Sequence, residues 1–387
     1  MAGTAGQLPA PEERPRIDEA NFVGRSFEEP VNFSGQIFTN YAMFASASFK
    51  KDANFRGAIF ESRANFRGAQ FCGYTDFEGA IFTQEVHFTE ANFETAVNFT
   101  NATFKNGAFF VQAALRGPSH FVNAKFSGKA DFKDAKFFRP ALFLDANFHE
   151  EALFENAHFQ EAVYFKKAIF DNSTIFIGAV FGEWANFIDA ETKSLTMFNE
   201  ARFLYQPPDF AGARLHEGTT WFDVKWPRAP ETIKAAEYAV SAYERLKLEM
   251  DRLKKHEDEL NFFALELQAR RVLVGKWTSL TGWAIWAYGL LSDYGRSVSL
   301  PLFVLLVTTL AGADALWGRA GLGYARALGL SAASTLGVFN FRQAFFAAED
   351  LIRLPGWVQL LSAGETIAGA LLLFLVSLGL RNTFRLR

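Results

Sequence analysis

The apolar positions of the first two hundred residues follow neither a helical period nor a simple alternation. Phe recurs at Phe22, Phe27, Phe33, Phe38, Phe44, Phe49, Phe55 and Phe60, in alternating steps of five and six. The alternation continues through Phe66, Phe71, Phe77, Phe82, Phe88, Phe93, Phe99, Phe104 and Phe110, passes Leu115, and runs on from Phe121 to Phe187. Two residues before nearly every ring stands a small side chain, as at Ala42, Ala47, Ala53, Ala58, Ala64 and Ala69; Arg25 and Gln36 are the early exceptions. Residues two apart on an extended chain share a face, so each ring and its small partner point inward together. A segment of five or six residues cannot bury a Phe alone, and such segments must turn and stack coil on coil. Segments of five, six, five and six make a coil of twenty-two residues. One column then holds Phe22, Phe44, Phe66, Phe88, Phe110, Phe132, Phe154 and Phe176, and another holds Phe33, Phe55, Phe77, Phe99, Phe121, Phe143, Phe165 and Phe187. Coils stacked roughly 4.8 Å apart would bury about 2–3 kcal/mol of apolar surface per ring. The pattern predicts a right-handed quadrilateral β-helix over residues 20–226, with the sixth residue of the longer segments at a corner.

The period breaks after Phe187. Thr192 stands where a ring is due, and the spacing stretches to seven at Phe203–Phe210 and at Leu215–Phe222. With Pro207-Pro208 and Trp226-Pro227, this end reads as an irregular cap. Over 231–274 the period becomes helical, with Leu246, Leu253, Leu260 and Leu267 every seven residues and Tyr243, Met250 and Ala264 between them. Glu257 and Arg271 interrupt that seam, which suits either a packed amphipathic helix or a self-associating coiled coil.

Residues 277–387 read as a membrane domain with two spans, about 298–317 and 357–380, each near the ~20 residues a bilayer requires. Arg270, Arg271, Lys276 and Arg296 precede the first span, and Arg381, Arg385 and Arg387 follow the second. That distribution puts both outer ends on the cytoplasmic side, although Arg319, Arg326, Arg342 and Arg353 lie between the spans. Trp277, Trp283, Trp286 and Tyr288 suggest an interfacial helix ahead of them. Asp314 falls near one end of the first span, within reach of the headgroups. Glu365 lies about two turns inside the second, where a carboxylate is costly unless paired, protonated or wetted; it is expected to face a neighbouring helix. Residues 327–341 carry Ser331, Ser334, Thr335 and Gly337, so span, short apolar stretch and span also match a simple two-span channel with a re-entrant segment. A potassium filter needs a second glycine where Phe339 stands.

The units Ala53-Asn54-Phe55-Arg56-Gly57-Ala58 and Ala91-Asn92-Phe93-Glu94-Thr95-Ala96 resemble the pentapeptide repeat family, in its Phe-rich subgroup, over roughly the first 225 residues. The runs from Tyr243 and from Phe262 to Arg271 are similar to the linker that follows such repeats in bacterial membrane-anchored members. The resemblance implies a fold, not an activity; a few members of the family mimic DNA and bind topoisomerases.

Composition narrows the function further. Residues 1–19, with Pro9, Pro11 and Pro15 and no apolar core, read as a disordered lead-in and not a signal peptide, which keeps the β-helix in the cytoplasm. Cys72 is the single cysteine, so no intrachain disulfide framework exists. Residues 20–226 hold 19 basic and 24 acidic side chains, too even a balance to imitate a phosphate backbone and without a motif for nucleic acid. The charges come in blocks. Asp76, Glu78, Glu85, Glu90 and Glu94 are followed by Lys105, Arg116, Lys125, Lys129, Lys133, Lys136 and Arg139, which form either a solvated surface or a binding face. The six histidines lack metal-ligand spacing, and no nucleophile–base arrangement, phosphate loop or dinucleotide fingerprint appears. The expectation is a non-enzymatic protein with no cofactor in the inner (cytoplasmic) membrane, multi-pass, whose cytoplasmic β-helix is a scaffold for an unidentified protein partner. An oligomeric two-span channel gated through the β-helix is the alternative, which leaves homo-oligomerisation open; a DNA mimic stands third.

Overall fold

The computed structural model describes residues 14–320, 323–339, 341 and 355–385. The chain divides into two compact units, 1–230 and 231–387.

The first unit is a parallel β-solenoid of thirty-five two-residue strands, from β1 (Arg16–Ile17) to β35 (Arg202–Phe203). Every fourth strand falls in the same sheet, giving four sheets of nine, nine, nine and eight strands around a quadrilateral coil. Register advances by twenty-two residues: Ala64 pairs with Ala42 on one side and Val86 on the other, and Phe71 lies between Phe49 and Phe93.

The repeat Ala-Asn/Asp-Phe-x-Gly has a physical reason at each position. The Ala and the Phe point inward. The Asn or Asp between them points outward and accepts a hydrogen bond from the amide two residues on: Asn54 from Arg56, Asn65 from Arg67 and Asp76 from Glu78, each at 2.9 Å. The chain then reverses in a tight turn closed by the bonds Ala58 N to Phe55 O and Ala69 N to Phe66 O, both 3.0 Å. The third residue of that turn is left-handed, with φ of 62° at Gly57 and 64° at Gly68. The same position recurs every eleven residues, occupied by Asn101, Asn123, Asp134, Asp145 and Asn156, and also by Glu90, Gln112 and Lys167. These turns close the five-residue segments, and the corners of the six-residue segments lack them.

Inside, the rings stack in columns. Centroids are 4.7 Å apart for Phe55–Phe77, 4.9 Å for Phe77–Phe99, 5.0 Å for Phe99–Phe121, 4.7 Å for Phe121–Phe143 and 5.0 Å for Phe143–Phe165. Neighbouring columns meet edge-on, as at Phe99–Phe110 (5.4 Å). From Phe38 onward the ladder rings are fully buried, whereas Phe22, Phe27 and Phe33 in the first coil are half-buried. Arg25, an exception to the small-residue rule, lies over the rings of Phe22 and Phe27 at 5.5 and 5.0 Å and covers that end.

Three expectations need correction. Pairing already begins at Arg16–Ile17, which adds to Ile37–Phe38, so the lead-in assigned to 1–19 is shorter; residues 1–13 lie outside the described residues. At the other end the column residue is Trp221 and not Phe222. The last coil is one residue longer, as the bridges Asn186–Asp209, Glu191–Arg214, Met197–Thr220 and Arg202–Lys225 show. The extra residue enters at Pro207-Pro208, after which Trp221 stacks on Phe198 (4.5 Å) and Trp226 on Phe203 (5.3 Å), while Phe222 is 74% exposed. Finally, 231–274 is two helices and not one.

Those two, α1 (Ile233–Arg252) and α2 (His256–Leu273), open the second unit and pack on each other as a hairpin. The chain turns at Leu253–Lys255, with Lys254 left-handed at φ 59°. The seven-residue Leu pattern therefore crosses a chain reversal: Leu246 and Met250 are buried, whereas Leu253, Leu260 and Leu267 are only partly so. Glu266, 4% exposed, is held by Lys247 at 2.5 Å and Arg270 at 2.6 Å. Then follow α3 (Leu280–Ser292), α4 (Ser299–Ala320), α5 (Tyr324–Thr335), a 3-10 turn (Gly337–Phe339) and α6 (Gly356–Arg385). The residues Asp293, Tyr294 and Gly295 after α3 are all left-handed, and Asn382 Nδ2 of α6 donates to Gly295 O at 3.0 Å, latching this turn to α6.

α4 and α6 are long and apolar enough to cross a membrane, and 28% and 33% of their apolar stretches is buried within the protein. Phe303, Leu306, Leu360, Ile367 and Phe374 all stand out from the bundle.

Candidate functional site

α4, α5 and α6 pack on one another and meet in a polar cluster. Glu365 of α6 is 4% exposed, and its Oε1 is hydrogen-bonded to Ser331 Oγ of α5. Ser331 Oγ also donates to the Thr309 carbonyl of α4 at 2.8 Å. The hydroxyls of Thr309 and Thr335 lie 2.9 Å apart, a second link between α4 and α5. Two glycines make the room. A methyl group on Gly312 would overlap Glu365 Oε1, and one on Gly369 would overlap the Thr335 carbonyl. Ser362, one turn before Glu365, is fully buried. Asp314 is exposed on α4 and takes no part. The stretch 327–339 holds the last nine residues of the twelve-residue α5, buried through Ala327, Leu330, Ser331, Ser334 and Thr335, and then a 3-10 turn. In that turn Phe339 N donates back to Leu336 O at 3.0 Å, so 337–339 is not an extended filter strand. Arg342 and Arg353 lie outside the described residues.

On the solenoid, the charge blocks pair across coils. Arg56–Glu78 (2.6 Å), Arg63–Glu85 (3.2 Å), Arg67–Glu90 (2.9 Å) and Arg116–Glu94 (3.5 Å) take up the acidic block. Lys133–Glu155 (3.1 Å) and Arg139–Glu161 (2.6 Å) take up part of the basic one. Each exposed pair contributes only ~0–1 kcal/mol.

The repetition and the coil decide the family. The profile described as pentapeptide repeats (9 copies) matches residues 33–81, 44–92, 88–135, 110–157 and 154–202. The solenoid belongs to the pentapeptide-repeat family. No curated protein and no solved structure matches the chain.

Within this pentapeptide-repeat solenoid, the outward position before each ring on the type-turn faces changes character along the rod. It is mostly Asn or Asp in the first coils (Asn21, Asn32, Asn54, Asn65, Asp76 and Asn98, with Met43 between them), and mostly apolar in the later ones (Phe109, Leu142, Leu153, Tyr164, Ile175 and Met197), where Asp131 and Asn186 keep the turn-capping type. Leu153, Ile175 and Met197 are register neighbours on one sheet and only partly covered. This strip was readable at eleven-residue spacing, but attention to the inward rings passes over it. Two other groupings depend on turns that spacing does not reveal. Arg271 stacks on Trp277 at 4.3 Å within the Trp277–Trp283–Trp286 cluster. The donor atoms of Asp251, His256 and Glu259 come within 4.8 Å of one another at the α1–α2 turn, where His256 Nδ1 lies 3.1 Å from Glu259.

Proposed function

We propose that this pentapeptide-repeat protein is a non-enzymatic scaffold anchored in the inner membrane by α4 and α6, with the solenoid on the cytoplasmic side as a recognition rod for a protein partner. The observation that supports it is the Leu153–Ile175–Met197 strip, where partly exposed apolar side chains stand at the outward position that Asn or Asp caps elsewhere. Partly exposed apolar rows on an otherwise charged surface mark interaction sites. The test is photo-cross-linking of the full chain in its native membrane from a probe at position 153. A discrete adduct that disappears on Ile175→Lys, and persists on Asn54→Lys, is expected. Adducts indifferent to both changes would sink the reading.

The oligomeric-channel reading has one observation in its favour. At ~1.5 Å per residue α5 spans only about 18 Å, too short to cross, yet it is buried between two helices that are long enough. Conductance across a planar bilayer, with an oligomeric mass in mild detergent, would favour it; a silent monomer would dismiss it.

A further inference from the structure

We propose that the end of the second unit where α2, α3, the start of α4 and the end of α6 meet seats the phosphate headgroup of an anionic phospholipid, gripped by Arg271 and Arg381. The inference rests on the reading of α4 and α6 as membrane spans. α6 runs back along α4. The bond from Asn382 to the Gly295 carbonyl, and the close approach of Gly379 to the Ser297 carbonyl, bring its last turns to the start of α4. Arg296 of that turn donates to Asn261 of α2 at 2.9 Å. A pair of tyrosine rings, Tyr288 and Tyr294, lies between the two arginines with centroids 5.9 Å apart. Arg271 is within electrostatic reach of Tyr294, and Arg381 of Tyr288.

The neighbouring cations already have carboxylates. Arg270 is paired with Glu266 and Glu244, and Arg296 with Asp293 at 2.7 Å. Arg271, Lys276 and Arg381 make no ion pair among the described residues. The Arg271 guanidinium stacks 4.3 Å from the Trp277 ring centroid, and its Nε is buried without a hydrogen-bond partner. Its one hydrogen bond reaches the Lys276 carbonyl at 3.5 Å. A planar guanidinium held on an aromatic face presents a donor fork that matches a phosphate. Beside it α3 turns an apolar face outward: Leu280, Trp283 and Leu290 are exposed, as is Trp277 ahead of it. Tryptophans on such a helix belong at the level between headgroups and acyl chains. A free phosphate ion would meet the same arginines but leave that face in water. The occupant is therefore a lipid, whose acyl chains cover it.

Quenching of tryptophan fluorescence tests this, with the full chain in nanodiscs of mixed phosphatidylglycerol and phosphatidylcholine and bromine on the acyl chains of one lipid or the other. Trp317 and Trp357, at the far ends of the spans, report both lipids alike and set the baseline. At equal mole fraction, brominated phosphatidylglycerol should quench more than brominated phosphatidylcholine. Each basic side chain near an anionic surface strengthens binding about fivefold, so Arg271→Gln should raise the phosphatidylglycerol fraction needed for half of that excess by about that factor. Arg381→Gln should do the same, and its exposed side chain is removed without disturbing the packing. Arg319→Gln, at the other end of α4, should leave the excess unchanged. Equal quenching by the two lipids, or an excess untouched by both Arg271→Gln and Arg381→Gln, would overturn the proposal. So would an excess abolished by millimolar inorganic phosphate, which would assign the seat to a soluble anion. Alkaline carbonate washing of native membranes separates the seat from the anchor: release of the chain would overturn both, whereas a retained chain without the excess would overturn only the seat.

Discussion

Replacing Phe99 with Ala probes what holds the solenoid together. Phe99 is fully buried, stacked on Phe77 at 4.9 Å and Phe121 at 5.0 Å, and meets Phe88 and Phe110 edge-on at 5.3 and 5.4 Å. Removing the ring forfeits roughly 2–3 kcal/mol of transfer free energy. It also forfeits part of the ~0.5–1.5 kcal/mol that each well-placed aromatic pair contributes. The cavity cannot collapse, because backbone ladders fix the coils above and below, so the expected cost lies at the upper end of about 3–5 kcal/mol. Leu115 occupies a ring position in a neighbouring column without breaking register, so Phe99→Leu should cost about 1–1.5 kcal/mol. Stability in a solenoid is a sum of coil and interface terms, so the deficit should be local. In urea, the coils before Phe77 and after Phe121 should separate into two transitions. Trp184, Trp221 and Trp226 report the later one by fluorescence, and circular dichroism reports the whole. A single unchanged transition with a cost below about 1 kcal/mol would refute the stacked-core account.

Two further outcomes follow from the outer surface. Gln112 sits in the left-handed region at φ 56°, where an L side chain costs roughly 1–2 kcal/mol; Gln112→Gly should raise the unfolding free energy by a net of about 0.5 kcal/mol after the entropy of the new glycine, read as a higher urea midpoint with the slope unchanged, and Gln112→Val should lower it. Burial holds the imidazoles of His87, which stacks on Phe109 at 4.7 Å, and His120 below the ordinary histidine range. The unfolded chain then binds more protons than the folded one as pH falls below ~6.5, so stability should be full above that pH and decline beneath it until the folded imidazoles also protonate. His87→Asn with His120→Asn should flatten that limb, and a limb unchanged in the double variant would assign it to other groups.

The difference in legibility between the two units has a physical cause. In the solenoid each structural requirement is posed many times. Phe55, Phe77, Phe99 and Phe121 meet the same neighbours at the same spacing, so one coil's solution is printed repeatedly along the chain and the period exposes it. A single inserted residue at Pro207-Pro208 is enough to move the column from position 220 to Trp221, and no later coil repeats that answer. The second unit poses each requirement once. The reversal at Lys254 turns on one left-handed residue inside a pattern that otherwise continues as a helix. Glu365 was conspicuous because a carboxylate interrupts an apolar run, but its partners were not. Ser331 and Thr309 are thirty-four and fifty-six residues away on helices whose apolar stripes say only that they pack, not at what rotation. What selects the rotation is the pair of small residues, Gly312 and Gly369, that lets a carboxyl and a carbonyl come close. A glycine in a membrane-length helix has many uses, so its role becomes readable only with the facing helix in place. It follows that Gly312, although it carries no polar side chain, belongs to the Glu365 site as much as Ser331 does.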